Sequence, residues 1–438
     1  MPTLPNLLDS LKHHHLTSST AWRDRLLIWT AAIIASLCVV GFTYLCNQAV
    51  HGFSLIRQTS IWLPFLVTPA GAIAIVWVTR KFAPGAAGSG IPQVIACMDT
   101  ELPALQKKHF LSLKLSAAKA LLGSLALAVG FSIGREGPSV QIAAGVMHSF
   151  RNWFGDRVKL HDRDLMLAGG AAGIAAAFNA PLAGVIFAIE ELSRRFEQRS
   201  SGVILTAIML GGVVSISLQG NFTYFGRLNI ANLDSSLLVP ALCCTLGVGA
   251  IGGLFSRLLI TSSLGTAGYF SRFKLRYPIW FAGACGLMIA ALGFVSQGAA
   301  HGSGYEYTRE VLVEQGALPF FYVGVKFIAT WISYWCGVPG GIFAPSLAIG
   351  AGFGNDVALL FHTPAAAPLI AIGMAGFLAA VTQAPITSFI IVMEMIDGHT
   401  MVLSLMASAL VATLISRLIS PPLYHSLAKI QLQKELKG

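Results

Sequence analysis

Four apolar runs, 26–46, 61–78, 237–260 and 401–419, come close to the ~20 residues that an α-helix needs to cross the hydrocarbon layer of a membrane. They are continuously apolar, whereas a spanning β-strand alternates lipid-facing and lumen-facing residues, so a barrel is excluded. An all-α integral membrane protein is predicted. Composition agrees, because 55% hydrophobic against 11% charged residues is far outside the soluble globular range. The first run starts near residue 26 and continues well past a short signal-type core, so it is expected to remain as a span rather than be cleaved.

The net charge of +10 raises the question of nucleic acid, but the Lys and Arg residues lie in short segments between apolar runs. Such a distribution sets orientation. Lys12, Arg23 and Arg25 precede the first run, and Arg80, Lys81, Lys107 and Lys108 follow the second, which places the N-terminus and this later segment in the cytoplasm. No nucleic-acid partner is expected. The seven cysteines show no metal-ligand spacing and read as small packing residues. His13, His14 and His15 form a polar N-terminal run, more in keeping with a solvated tail than a metal site, and no cofactor or metal is predicted.

Three glycine-rich breaks carry the chemistry: Gly88-Ser89-Gly90-Ile91-Pro92, Gly134-Arg135-Glu136-Gly137-Pro138, and Gly337-Val338-Pro339-Gly340-Gly341-Ile342-Phe343-Ala344-Pro345. Each leads into an apolar segment, as expected where a helix starts inside the protein with free backbone N–H groups. Helix starts of this kind favour an anion through converging amides and the macrodipole. They hold it loosely, which suits an ion that must leave as readily as it enters. Glu136 is costly in such surroundings and is therefore a functional candidate. Its simplest alternative role is an ion pair with Arg135.

The chain also repeats itself. Ala180-Pro181 and Glu190 recur 204 residues later as Ala384-Pro385 and Glu394, and Gly137-Pro138-Ser139 recurs more weakly as Ala344-Pro345-Ser346 at an offset of 207. Two related halves are predicted, an organisation that in transporters places the substrate site at the interface of the halves. Whether the repeat is inverted is not legible from these residues.

Taken together with Ala176 to Gly184 and Pro422-Leu423-Tyr424, the breaks resemble, in order, the motifs of the CLC family of chloride channels and chloride/proton antiporters. The resemblance covers residues from about 20 to 430 and implies a CLC-type fold of tilted and broken helices in two inverted repeats. It further implies a homodimer with one pathway per subunit. On the family pattern Ser89 and Tyr424 donate hydroxyl hydrogen bonds to chloride, and the backbone N–H groups of Ile342 and Phe343 complete the site. Serine at position 89 resembles the chloride-preferring members. Glu136 becomes a gate and proton acceptor, competing as an anion for chloride's own place and leaving when protonated.

Glu191 resembles the internal proton relay of the antiporters, a position often valine in channels. Its repeat counterpart is Met395, whereas Glu190 matches Glu394 and reads as architectural. From spacing alone, an ion pair of Glu191 with Arg194 or Arg195 competes with the relay. Gln93 and Ile95 stand where some bacterial relatives carry acids, which puts an accessory proton entry there in doubt. The expected domains are a cytoplasmic segment 1–22, a transmembrane domain 23–425 with halves 23–220 and 235–425, and a short cytoplasmic tail 426–438. With the sequence ending at Gly438, paired cytoplasmic nucleotide-binding modules are not expected. The expected function is chloride/proton antiport in a bacterial inner membrane, among membrane lipid and with both termini cytoplasmic. A passive chloride channel of the same fold is the alternative, and an intramembrane enzyme using Ser89 a remote one.

Overall fold

Proline and glycine decide where the helices of this chain begin, because proline is pre-set for a first helical turn and lacks the N–H that would be orphaned there. A computed structural model describes residues 19–98, 102–154, 161–194, 201–220, 223–227, 235–265, 268–314, 316, 318–319, 321–363 and 366–437. The first half contains α1 (Ser19–Thr59), α2 (Pro64–Phe82), α3 (Ile91–Cys97), α4 (Ala104–Phe110), α5 (Leu113–Ala128), α6 (Glu136–Ser149), α7 (Asp162–Phe178), α8 (Pro181–Phe187) and α9 (Ser201–Gln219). The second contains α10 (Leu238–Leu264), α11 (Tyr269–Arg276), α12 (Pro278–Val295), α13 (Tyr305–Arg309), α14 (Tyr322–Cys336), α15 (Phe343–Leu360), α16 (Ala367–Thr382), α17 (Pro385–Ile396), α18 (Val402–Ile419) and α19 (Leu423–Lys437). Eight described helices are long and apolar enough to span a membrane, and they include all four predicted runs. Helix α1, at 41 residues, is about 60 Å long and must tilt or project beyond a ~30 Å hydrocarbon layer.

The repeat is inverted, and two pairs of hydrogen bonds demonstrate it. The carboxylate of Glu190, just beyond α8, accepts from the N–H groups of Ile386 (3.1 Å) and Thr387 (2.6 Å) at the start of α17. Reciprocally, Glu394 near the end of α17 accepts from Leu182 (3.1 Å) and Ala183 (2.6 Å) at the start of α8. Two neighbouring helices that each cap the other's beginning from near their own ends must run antiparallel. Charged caps of this kind contribute ~1–2 kcal/mol each. At the second offset, Gly134 and Gly341 exchange backbone hydrogen bonds, both 2.7 Å, on the same pseudo-two-fold relation.

The copies differ by one residue. Glu190 and Glu394 are 204 positions apart, but the left-handed residues that end the two segments, Arg194 (φ 52°) and Asp397 (φ 53°), are 203 apart. The extra residue is absorbed by a π-helical stretch, Ala188–Ser193, which contains Glu190 and Glu191 and has no counterpart in α17. Such bulges cluster at functional sites. Glu191 lies in this stretch and is buried, as is its counterpart Met395 in the regular helix.

Helices α7 and α16 are buried along nearly their whole length and form the centre of the two halves. Their glycines permit close approach: a Cβ on Gly173 would sit 2.7 Å from the Ser139 carbonyl of α6, and Gly350 of α15 packs against the Gly373 backbone of α16. Two fully buried lysines, Lys119 on α5 and Lys326 on α14, are separated by the same 207 residues. Lys119 Nζ donates to the carbonyls of Ala86 (2.7 Å) and Gly88 (2.5 Å), and Lys326 Nζ to those of Ala300 (3.3 Å), His301 (3.1 Å) and Gly302 (2.8 Å). Each brace holds a loop of Gly-Ser-Gly sequence, 88–90 or 302–304. Lys119→Met and Lys326→Met are expected to destabilise the protein by about 1–3 kcal/mol for each carbonyl left without a donor, the second variant more than the first. Thermal melting in detergent reads this, and unchanged transitions would remove the bracing role.

Residues 426–437 of the expected tail continue α19 from Tyr424; Leu427 and Ala428 are buried, and Lys434 Nζ reaches the Ser263 carbonyl at 3.3 Å. Its early apolar positions pack on α3, which is why it is not free. Gln93, in place of an acid, serves the backbone: its Oε1 accepts from Gly90 N–H (3.0 Å) and its Nε2 donates to the Ala87 carbonyl (2.6 Å). All seven cysteines are free. The histidines 13–15 and Arg195 lie outside the described residues, as does nearly all of segment 1–22.

Candidate functional site

The three glycine-rich breaks meet. Gly88 N–H donates to the Val338 carbonyl (3.2 Å) and Gly340 N–H to the Gly88 carbonyl (3.0 Å), while Gly134 and Gly341 are joined as described. Glycine is required at Gly90, where φ is 110° and a Cβ would lie 2.7 Å from the Gly137 carbonyl. From this knot α3, α6 and α15 all set out, so their first-turn amides, without intrahelical acceptors, gather in one region.

The side chains there are buried and incompletely paired. Glu136 is fully buried, and its Oε2 accepts from the Ala344 N–H at 3.4 Å, in the first turn of α15. Its Oε1 has no protein hydrogen bond. The Ser89 hydroxyl, also without one, lies against Gly137 in the first turn of α6. The Tyr424 hydroxyl is fully buried and faces that of Ser89 without closing a hydrogen bond to it. Its ring stacks on Phe343 at 5.9 Å and 14°, and Phe343 is enclosed in turn by Phe178 and Phe187. Buried polar atoms normally have partners. Two hydroxyls that can donate, beside helix-start amides and a carboxylate, make a donor set for a small anion.

Arg135 does not pair with Glu136. Its guanidinium bonds Asn47 Oδ1 (2.7 Å) and Tyr224 OH (3.3 Å) and lies over the Tyr224 ring. All these residues, with Glu136, line a cavity of about 560 Å³ that also includes His51, Arg57, His301 and Ser303. The carboxylate therefore stands between this cavity and the hydroxyl pair.

Glu191 makes no hydrogen bond to the Ser89 or Tyr424 hydroxyl, although its charge reaches Tyr424. Its side chain is 2% exposed, and its carboxylate faces the imidazole of His425, Nδ1 to Oε1 3.6 Å. A second cavity, sharing no lining residue with the first, is bounded by Glu190, Arg194, Gln383, Arg417 and Pro422. The structure thus brings Ser89, Glu136, Phe343 and Tyr424 together, with Ile342 as the residue preceding α15. It adds the Ala344 amide, one position beyond the expected pair, the brace of Lys119 behind the Ser89 loop, and His425. Lys119 was detectable as a lone charge inside an apolar run, repeated at 326.

A sequence profile described as voltage gated chloride channel matches residues 70–417. The chain belongs to this family. Among its relatives, the H(+)/Cl(-) exchange transporter ClcA of Salmonella paratyphi A is 31% identical over 411 residues, covering 89% of this chain and 82% of that protein. The structure is similar to that of a slow cyanobacterial Cl-/H+ antiporter, with a TM-score of 0.81 at 25% identity, covering 93% of this chain and 98% of the other. A CLC-type fluoride/proton antiporter shares the fold, with a TM-score of 0.76 at 22% identity over 92% and 96% of the two chains. For a member of the chloride channel family, ion transport replaces the enzyme reading of Ser89.

Proposed function

We propose that this protein exchanges chloride for protons across the membrane in which it is embedded. One observation carries the reading: Glu136 places an acid where the anion-binding groups converge, its carboxylate already accepting an amide at the start of α15. Ionised, Glu136 takes the donors an anion would use. Protonated, it loses both its charge and its attraction to the helix start, and it leaves toward the cavity lined by Arg135 and Asn47. Chloride then takes the hydroxyls of Ser89 and Tyr424 and the amides of Ile342 and Phe343. Two like charges 4 Å apart repel by ~4 kcal/mol at an effective dielectric constant of 20, so ion and carboxylate exclude one another. Dipoles rather than a cation hold the ion, and release stays fast.

Glu191 is the internal acid that passes protons toward Glu136. The burial of this carboxylate, its contact with the imidazole of His425 and the replacement of an acid by Met395 in the repeat copy support that role. The transmembrane unit spans about 23–425, in a bacterial inner membrane with both termini cytoplasmic; labelling of introduced terminal cysteines from one side only tests the orientation. A homodimer is supported by the contiguous face of α8, α9, α17 and α18, where Leu182, Met209, Ile386 and Leu414 are exposed. A monomeric mass in lipid nanodiscs would remove that reading.

The deciding experiment reconstitutes the purified protein in liposomes under a chloride gradient with the proton gradient initially zero. Protons are expected to move opposite to chloride and to build a gradient of their own. Chloride movement with none of protons would make the protein a channel.

A further inference from the structure

We propose that His425 is the group through which protons reach Glu191 from water. The inference rests on the antiport reading and names the entry that this reading lacks, since Gln93 and Ile95 offer no acid and Gln93 is committed to backbone carbonyls and an amide. Glu191 is almost wholly enclosed, at 2% exposure, whereas the His425 side chain is 24% exposed. The imidazole thus lies between the enclosed carboxylate and the surface of the protein. Its Nδ1 faces Glu191 Oε1 at 3.6 Å, a distance that a small rotation of either side chain closes to a hydrogen bond.

Among the described residues, alternative partners are few. Glu190 is occupied by the amides of Ile386 and Thr387, and Arg163 Nη2 reaches Ser193 carbonyl and hydroxyl oxygens. Arg194 and Arg417 line the neighbouring cavity, and Lys429 lies one turn further along α19. Of the elements packed on α19, α3 and α16 bring no acid or base to this point, and Arg257 of α10 is exposed. Arg194 and Arg417 thus bring positive charge to the neighbouring cavity, and histidine is the side-chain type suited to passing protons beside them.

The step balances. Imidazolium Nδ1–H breaks as Glu191 Oε1–H forms, leaving a neutral imidazole and a neutral acid. Water then reprotonates the ring. His425 also follows Tyr424 directly in sequence, so the start of α19 presents one residue to the anion and the next to the proton, on separate routes.

The test measures chloride-driven proton flux in liposomes for His425→Ala and His425→Asn, with chloride leak measured separately in a Glu136→Ala background. Both variants are expected to lose proton flux by about tenfold or more, steepest when the His425 side is alkaline. Added imidazole restores flux to His425→Ala, and leak in the Glu136→Ala background stays within about twofold. Wild-type proton flux in His425→Asn would overturn the proposal and leave a positioning role. A matching loss of leak would also overturn it, by assigning the residue to the chloride site. Failure of the antiport reading itself is distinct, because the wild-type protein would then move no protons.

Discussion

Glu136→Ala is expected to yield a protein that moves chloride at least as fast as the parent while its proton flux falls into the background, a loss of about 100-fold or more for removal of an acid in direct proton transfer. The physical cause is removal of a competitor. In the parent, the carboxylate engages the Ala344 amide and stands between the cavity and the hydroxyls of Ser89 and Tyr424. Alanine leaves the donors and takes away the repulsion. Chloride binding, measured by calorimetry in detergent, should tighten, and the rise of chloride flux with acidity should disappear. The sign follows from the charge: acid neutralises the carboxylate and opens the parent, whereas alanine is neutral at every pH. Glu136→Gln is the isosteric control, mimicking the protonated acid. Retained proton coupling in either variant would show that another acid is the gate.

Much of this site was legible before any coordinates, for reasons that lie in particular residues. Gly90, Gly134, Gly341 and Pro138 advertise backbone that departs from a continuous helix, and backbone constraints are written directly in residue type. Glu136 stood out because a carboxylate amid apolar sequence needs a reason. The pair Glu190 and Glu394 betrayed the repeat, and their reciprocal caps turned a similarity of letters into an antiparallel arrangement. Other features left fainter traces. The π stretch shows only in the structure, where the offset slips from 204 between Glu190 and Glu394 to 203 between the left-handed residues Arg194 and Asp397. The meeting of His425 with Glu191 joins positions 234 residues apart and has no sequence signal beyond adjacency to Tyr424. The last helix was legible as a short amphipathic segment, while its packing on α3 depends on tertiary contact and left no trace in sequence.

Glu191→Gln is expected to stop proton movement while chloride continues to cross, and this pattern separates the relay from every architectural role. Glutamine keeps the length and shape of the side chain and carries no transferable acid proton, so packing around the π stretch is preserved. Chloride binding should be nearly unchanged, because the site of Ser89, Tyr424 and the α15 amides does not include this carboxylate. The neighbouring acid supplies the contrast. Glu190→Gln replaces a charged cap on the Ile386 and Thr387 amides with a neutral one, which should lower stability by ~1 kcal/mol and leave coupling intact. Adjacent residues, substituted identically, are therefore expected to fail in different assays: one in proton flux measured in liposomes, the other in thermal melting. Loss of chloride flux in Glu191→Gln would place this acid on the anion's own route. Persistence of proton flux would mean that protons reach Glu136 by another path, and Glu191 would then be a buried acid held by His425 and nothing more.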